Sequence, residues 1–294
     1  MDNFLNPVGP KHPSQMSGEG GKTSDEKETY IEGAEYIPLP SKGVFYTWDP
    51  KYQNLDKLKV RQLNYIDEDI LTTKSYLEDG SVFLELLKSV IVDENGFTAS
   101  GLIPVDRDTI LLWLRSTSFG NIFAAETSCP NCKAKCSIEW DISTFKLPEY
   151  EEEVYEMIKE NGEYIFETPI KNLKVRITVP TIGKSKEYEK SLALKKKNMN
   201  IKSDIFGTGS ILLIVSGVDN EEGKTLRKRS EIESYFNKIK LPISDARFIR
   251  KQLEKISLSY DTKIDVTCKS CDYTQEGVEM PMLHPNFFWS DAGV

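Results

Sequence analysis

Two Cys-x-x-Cys pairs, Cys129 with Cys132 and Cys268 with Cys271, stand about 135 residues apart in a chain of 294 residues. A two-residue spacer lets both sulfurs of one tight turn point at a single ion, and two such turns supply the four thiolates that a tetrahedral zinc site takes. The flanks suit that reading: AAETSC and SIEWDI surround the first pair, KIDVTC and TQEGVEM the second, all short β-like stretches. Knuckles at hairpin tips also place backbone amides where they donate to metal-bound sulfur. The separation far exceeds the roughly 15–20 residues of a compact ribbon, so a shared ion has to clip together two distant parts of the chain. Closing so long a loop restricts the unfolded chain, and structural zinc contributes folding free energy directly.

Three other readings of these cysteines stay open on sequence alone. A thioredoxin-like redox pair calls for a buried strand before the motif and a helix after it, whereas these turns run into polar, hairpin-like sequence. Reduced cysteines kept as small buried hydrophobes need no metal. Disulfides are disfavoured in a reducing cytosol. Cys136 falls four residues after Cys132 with Gln275 at the matching place in the second half, so it reads as a spare thiol, with a ligand set in which Cys136 replaces one of the four as the alternative.

The two halves repeat an order of elements. A shift of 139 residues relates Cys129 to Cys268, Asp106 to Asp245, Ile110 to Ile249 and Leu114 to Leu253, while a shift of 115 relates LKVRQL at 58–63 to LKVRIT at 173–178. The difference is a 24-residue insertion, expected as a longer helix and loop around EYEKSLALKKKNMNIKSDIFGTG. Within the first half, EYIPLPSKGVFY predicts extended chain, a turn and a strand, and the alternation of Leu58 and Val60 with Lys59 and Arg61 predicts a half-buried strand. VFLELLKSVI and DTILLWLRS carry helical spacing, the second with Asp106 as its expected N-cap. The expected fold class is α+β: two pseudo-repeated units, each of strand, helices and β-hairpin knuckle, joined through a zinc-ribbon-like cluster. Residues 1–30, rich in Pro, Gly, Ser, Lys and Glu, read as a flexible tail, 31–146 as the first unit and 147–294 as the second.

The net charge is -8, and Lys195, Lys196 and Lys197 sit among acidic neighbours, so a phosphate backbone is a disfavoured partner. No apolar stretch approaches the roughly 20 residues of a membrane helix. MDNFLNPVGPKHPSQ lacks the pattern of a secretory signal, which points to a protein made in a cytoplasm. The only histidines are His12 and His284, and no GxSxG, GxxxxGK[ST] or HExxH pattern occurs, so an enzyme is not expected. The acidic runs DEDIL at 67–71 and EYEEEV at 149–154 read as solvated helix starts rather than as a catalytic pair. Phe287, Phe288 and Trp289 are consecutive, and three adjacent aromatics cannot all face one core. They are the expected partner contact, with a local lid over the second half as the alternative.

With LPSKGVFY, LKVRQLNYIDEDIL, DTILLWLR leading into CPNC, and CKSC running to NFFW, the chain resembles the baseplate hub protein family of T-even-type contractile-tailed bacteriophages. The resemblance covers nearly everything after about residue 33; the second half lacks an equivalent of LPSKG. It implies a place in the virion tail baseplate, as hub component or hub-assembly factor, with other baseplate and tail proteins as partners and no catalytic residues to carry over. Assembly in the host cytoplasm is expected. Three functions follow: a structural component of the hub region, a non-virion chaperone for hub assembly, or a zinc-ribbon nucleic-acid-binding regulator, the last disfavoured by the acidic chain.

Overall fold

The structure, a computed structural model, describes residues 33–92, 96–199 and 206–288. The expected tail at 1–30, His12 and Trp289 lie outside the described residues.

Strand β1 (Ala34–Pro38) pairs antiparallel with β2 (Lys57–Arg61), in register from Ala34 with Arg61 to Pro38 with Lys57. Leu58 and Val60 turn inward while Lys57 is exposed, as the alternation predicts. The strand expected at Val44–Tyr46 is absent. These residues are buried in successive turns, Val44 donating to the Ser41 carbonyl and Tyr46 to that of Gly43. The reason is geometric: Lys42 and Gly43 take φ of 50° and 66°, which curls the chain away from a ladder. A Cβ on Gly43 would meet the Leu55 backbone nitrogen at 2.2 Å, so no other residue fits there. The free side of β2 is already bridged from Val60 to Ile91.

Helices α1 (Asp67–Thr72), α2 (Lys74–Glu78) and α3 (Val82–Val90) follow. The third buries Val82, Phe83, Leu86, Leu87 and Val90 along one stripe. Helix α4 (Pro104–Phe119) starts on a proline, whose missing amide proton costs nothing at a first turn. Its residues from Ile110 to Ser116 are buried on every side, which makes it the central helix of the molecule. Strands β3 (Ile122–Ser128) and β4 (Lys135–Asp141) form a hairpin with the first Cys-x-x-Cys at its tip.

In the second half, α5 (Glu152–Asn161) ends on Gly162 in the left-handed region. Strands β5 (Tyr164–Glu167) and β6 (Lys174–Ile177) come next. The predicted longer helix is α6 (Ile182–Met199), followed by α7 (Phe206–Ile214). Strands β7 (Val215–Asp219) and β8 (Thr225–Leu226) complete an antiparallel sheet in the order β5-β6-β7-β8. Helices α8 (Arg229–Ile239) and α9 (Ile243–Ile256) lead to the hairpin of β9 (Ile264–Thr267) and β10 (Thr274–Val278), which carries the second pair.

One hydrophobic cluster runs from Ile37 to Phe288. The halves also meet through polar contacts. Thr109 Oγ1 lies 2.9 Å from the Tyr260 hydroxyl, Trp140 Nε1 donates to the Thr262 carbonyl at 2.9 Å, and the Ile182 amide to the Leu102 carbonyl at 2.8 Å.

Two aspartates depart from their expected places. Asp106 is not the N-cap, since Ile103 holds that position and Asp106 sits in the first turn of α4. Its buried carboxylate accepts instead from the Ser41 amide at 3.0 Å, the Ser41 hydroxyl and the Tyr46 hydroxyl, both at 2.5 Å. Burial pushes it up to about 6, against the pull of those donors. Asp67 is not a solvated helix start: it is 1% exposed and takes a bidentate pair from Arg61 at 2.6 and 2.8 Å, with Ser89 Oγ at 2.8 Å.

Candidate metal centre

Each knuckle is built by the same backbone device. The Cys129 amide donates to the Ala134 carbonyl at 2.8 Å and the Lys133 amide to the Cys129 carbonyl at 2.9 Å. In the other hairpin, the Cys268 amide donates to the Tyr273 carbonyl and the Asp272 amide to the Cys268 carbonyl, both at 2.9 Å. Lys133 and Asp272 hold φ of 63° and 55°, the left-handed step that reverses the chain so that both sulfurs of a pair face one side.

The two tips meet. All four sulfurs lie within 4.8 Å of one another. The Sγ atoms of Cys129 and Cys271 are 3.7 Å apart, and those of Cys132 and Cys268 3.6 Å apart. A tetrahedron with zinc–sulfur arms of about 2.3 Å has edges of about 3.8 Å, so the spacing suits such an ion. Ligands that are 142 and 136 positions apart in the chain are thereby brought to one point. Cys136 is not in this group; its thiol lies 3.8 Å from the Ala134 carbonyl, and burial pushes it up.

The electrostatics also suit a cation. The Ser270 amide favours the Cys268 thiolate and brings it down to about 6 despite burial. The Tyr273 amide and then the Asn131 side chain, with Nδ2 3.5 Å from the sulfur, lower Cys271. The Ala134 amide acts the same way on Cys132, but the neighbouring sulfurs outweigh it and push that thiol up to about 12. Four sulfurs this close do not all ionise unaided, and a divalent ion offsets their repulsion and releases the remaining protons. Cys129, Cys132, Cys268 and Cys271 would together hold such an ion, which would supply a structural crosslink between the two hairpins.

A family model described as T4 bacteriophage base plate protein matches residues 44–283, a span that holds both knuckles. The chain belongs to that family. Membership in it implies a location in the virion tail, and agrees with the resemblance carried by the opening and knuckle motifs. No curated protein and no solved structure matches this base plate protein.

The aromatic contact expected at the C-terminus needs correction. Phe287 and Phe288 of the base plate protein are 0% and 1% exposed, buried in its own first half. The Phe287 ring centroid is 5.5 Å from that of Phe123, and Phe288 is 6.1 Å from Phe83 and 5.9 Å from Phe119. Neither is a lid over the second half; the chain end crosses back and fills the first. His284 caps the turn at Pro285–Phe287, its Nδ1 accepting from the Asn286 amide at 3.2 Å. Among the described residues, no helix is long and apolar enough to cross a membrane.

Sequence reasoning missed the anchoring aspartates. Asp245, in the first turn of α9, is buried and accepts from the amides of Ile170 and Lys171 at 2.9 and 3.0 Å. The available signal is its 139-residue relation to Asp106, for which the sequence predicts a helix cap.

Proposed function

We propose that this base plate protein is a structural component of the hub region of a contractile tail. In this reading two units of common descent, residues 31–146 and 147–294, are held as one rigid body by zinc on Cys129, Cys132, Cys268 and Cys271. The observation that carries it is the convergence of four sulfurs from two hairpins to within 4.8 Å. Zinc supplies only a fixed crosslink there. The protein's own residues shape the turns, lower the thiols with backbone amides and bury Cys129 and Cys268.

Descent from a duplication is supported by contacts that keep the sequence shifts. The knuckle hydrogen bonds and the left-handed residues Lys133 and Asp272 are related by 139 positions, as are Asp106 and Asp245. Both aspartates hold the amide that follows a proline after the first strand of a pair, Ser41 in one half and Ile170 in the other. On this reading TPIKN at 168–172 is the counterpart of LPSKG at 39–43. Val60 and Val175, related by 115, are both fully buried, and Arg61 and Arg176 each grip an aspartate.

Neighbouring base plate and tail proteins are the partners, with Trp289 as the contact residue of the aromatic run. Metal analysis of protein purified without added chelator should give one zinc per chain, and Cys268→Ser should lose it. Protein without metal, or a zinc content that Cys268→Ser leaves unchanged, would remove the clip. Mass spectrometry of purified particles should find stoichiometric peptides of the chain. Their absence would instead favour a hub-assembly chaperone that acts in the host cytoplasm and leaves.

A further inference from the structure

The two turns held by Asp106 and Asp245 are alike in backbone and unlike in cover. Each gives an amide to the aspartate in the first turn of the following long helix, and each ends on a left-handed residue, Gly43 at φ 66° and Asn172 at 49°. The first turn is roofed by the segment that opens α5. Lys42 Nζ lies 4.6 Å from the Tyr155 ring centre, and Tyr155 stacks on Tyr150 at 6.2 Å. Burial and then the charge of Asp106 push the Tyr150 phenol up, which sets that ring close to the same anchor. Val154 and Ile158, buried on the inner side of α5, fix the roof in place, and Pro40 and Ser41 are buried.

The second turn has no such roof among the described residues. Ile170, in the place of Ser41, is 59% exposed, and Ile243 at the start of α9 is 72% exposed. Asp245, two positions along from Ile243, holds the Ile170 amide, so both isoleucines belong to one face. Apolar surface left open where the sister half buries its turn marks a place that another chain covers. Cations flank the pair. Lys171 follows Ile170 and matches Lys42, Arg247 stands one helical turn beyond Ile243, and Lys251 one turn further; the stripe turns acidic only at Glu254. Lys171, Arg247 and Lys251 are exposed and form no ion pair among the described residues. At the place of Arg247 the first half has Asp108, closed on Arg107 at 2.7 Å. The bare face is therefore more cationic than its covered counterpart, whose roof carries Glu149, Glu151, Glu152 and Glu153.

We propose that the 168–172 turn and the start of α9 dock a segment of a neighbouring base plate protein with the character of residues 149–158: acidic, with two aromatic rings about five positions apart. Those rings cover Ile170 and Ile243 and receive Lys171 on one face, as Tyr155 receives Lys42. The carboxylates meet Arg247 and Lys251, which gives the contact its direction and partner choice. Docking of this kind rests on the place among tail proteins proposed above, which mass spectrometry of particles tests without reference to this face.

Fluorescence anisotropy on the full chain tests this with the labelled peptide EYEEEVYEMI, residues 149–158, as probe. Saturable binding that weakens with salt is expected. Ile170→Asp keeps the amide that Asp245 holds and should weaken binding by about tenfold or more, through loss of apolar burial. Arg247→Glu, at an exposed helix position, should weaken it by about threefold, as fits a rim charge. Lys42→Glu, the matching change in the roofed half, should leave it unchanged. Tyr150→Ala with Tyr155→Ala in the peptide should weaken it by about tenfold. No saturable binding, equal binding by folded Ile170→Asp or Arg247→Glu protein, loss in Lys42→Glu instead, or equal binding of hexaglutamate would each overturn the proposal. Binding seen only in Trp289→Ala protein would give the face to the chain's own end, and self-association abolished by Ile170→Asp would give it to a second copy; either outcome also overturns it. Zinc content and particle composition are read separately, so failure here leaves the proposed structural role standing.

Discussion

The two halves anchor their long helices through the same residue type by different chemistry. In the first, Asp106 of α4 is met by two hydroxyls and an amide, from Ser41 and Tyr46. In the second, Asp245 of α9 is met by two amides, those of Ile170 and Lys171. Amides belong to every residue but proline, so the second turn is free to vary its side chains and keep the contact. Hydroxyls do not, so the first turn depends on Ser41 and Tyr46. The surroundings differ as well. Helix α4 is buried all round between Ile110 and Ser116, whereas α9 keeps an exposed face and buries Ala246, Ile249, Gln252 and Ile256.

The largest effect should come from what the halves share. Structural zinc in small domains is worth on the order of 10 kcal/mol of apparent folding free energy. Cys129→Ser and Cys268→Ser should therefore lower the thermal midpoint equally and by tens of degrees. A clear inequality between them would mean that one knuckle holds metal without the other. Next is the chain end. Phe287→Ala should cost about 3–5 kcal/mol, the usual range for a buried phenylalanine. Hydrogen exchange should show the loss concentrated in α3, α4 and β3 of the first half, against which these rings lie, and protection lost only near β9 and β10 would contradict the packing described.

The aspartates sharpen the contrast more finely. Asp106→Ala strands three buried donors and should cost about 3 kcal/mol, whereas Asp245→Ala strands two part-buried amides and should cost about 2 kcal/mol. Denaturant melts of both variants decide this, and a larger loss at Asp245 would reverse the ranking.

The smallest effect is a pH dependence. Asp106 stands at about 6 in the folded chain, above its ordinary value of 3.8. Its contribution is thus present in full below about pH 3.8 and lost as pH rises through about 6. Between those limits the native chain should lose a few degrees of thermal midpoint relative to Asp106→Asn, which lacks the titration. Parallel curves for the two proteins would show that the carboxyl is ionised throughout.

What was legible beforehand has a physical pattern. The knuckles, the alternation of β2 and the stripe of α3 are set by neighbours within a few residues, and sequence spacing records them. Asp106 is decided by groups 60 and 65 positions away, so its local signature of a helix cap misled. Asp67 sits among acids that look solvated, and only Arg61 and Ser89, brought over it by folding, make it a buried ion pair. Val44–Tyr46 has the composition of a strand, but the left-handed steps before it remove it from any ladder. The aromatic run revealed crowding without revealing which surface receives it. The match of the two turns needs three-dimensional contacts, since LPSKG and TPIKN share only a proline and a lysine.

The placement of Phe287 and Phe288 inside the first half has a consequence in time. A ribosome adds about 5–20 residues per second, so the early part of this polypeptide waits roughly ten to thirty seconds for its last two core rings. A truncated product keeps an unfilled apolar hollow beside Phe83, Phe119 and Phe123. Synthesis as far as Phe288 is thereby a condition for a filled core in the first half, and copies that stop short of it leave apolar side chains uncovered.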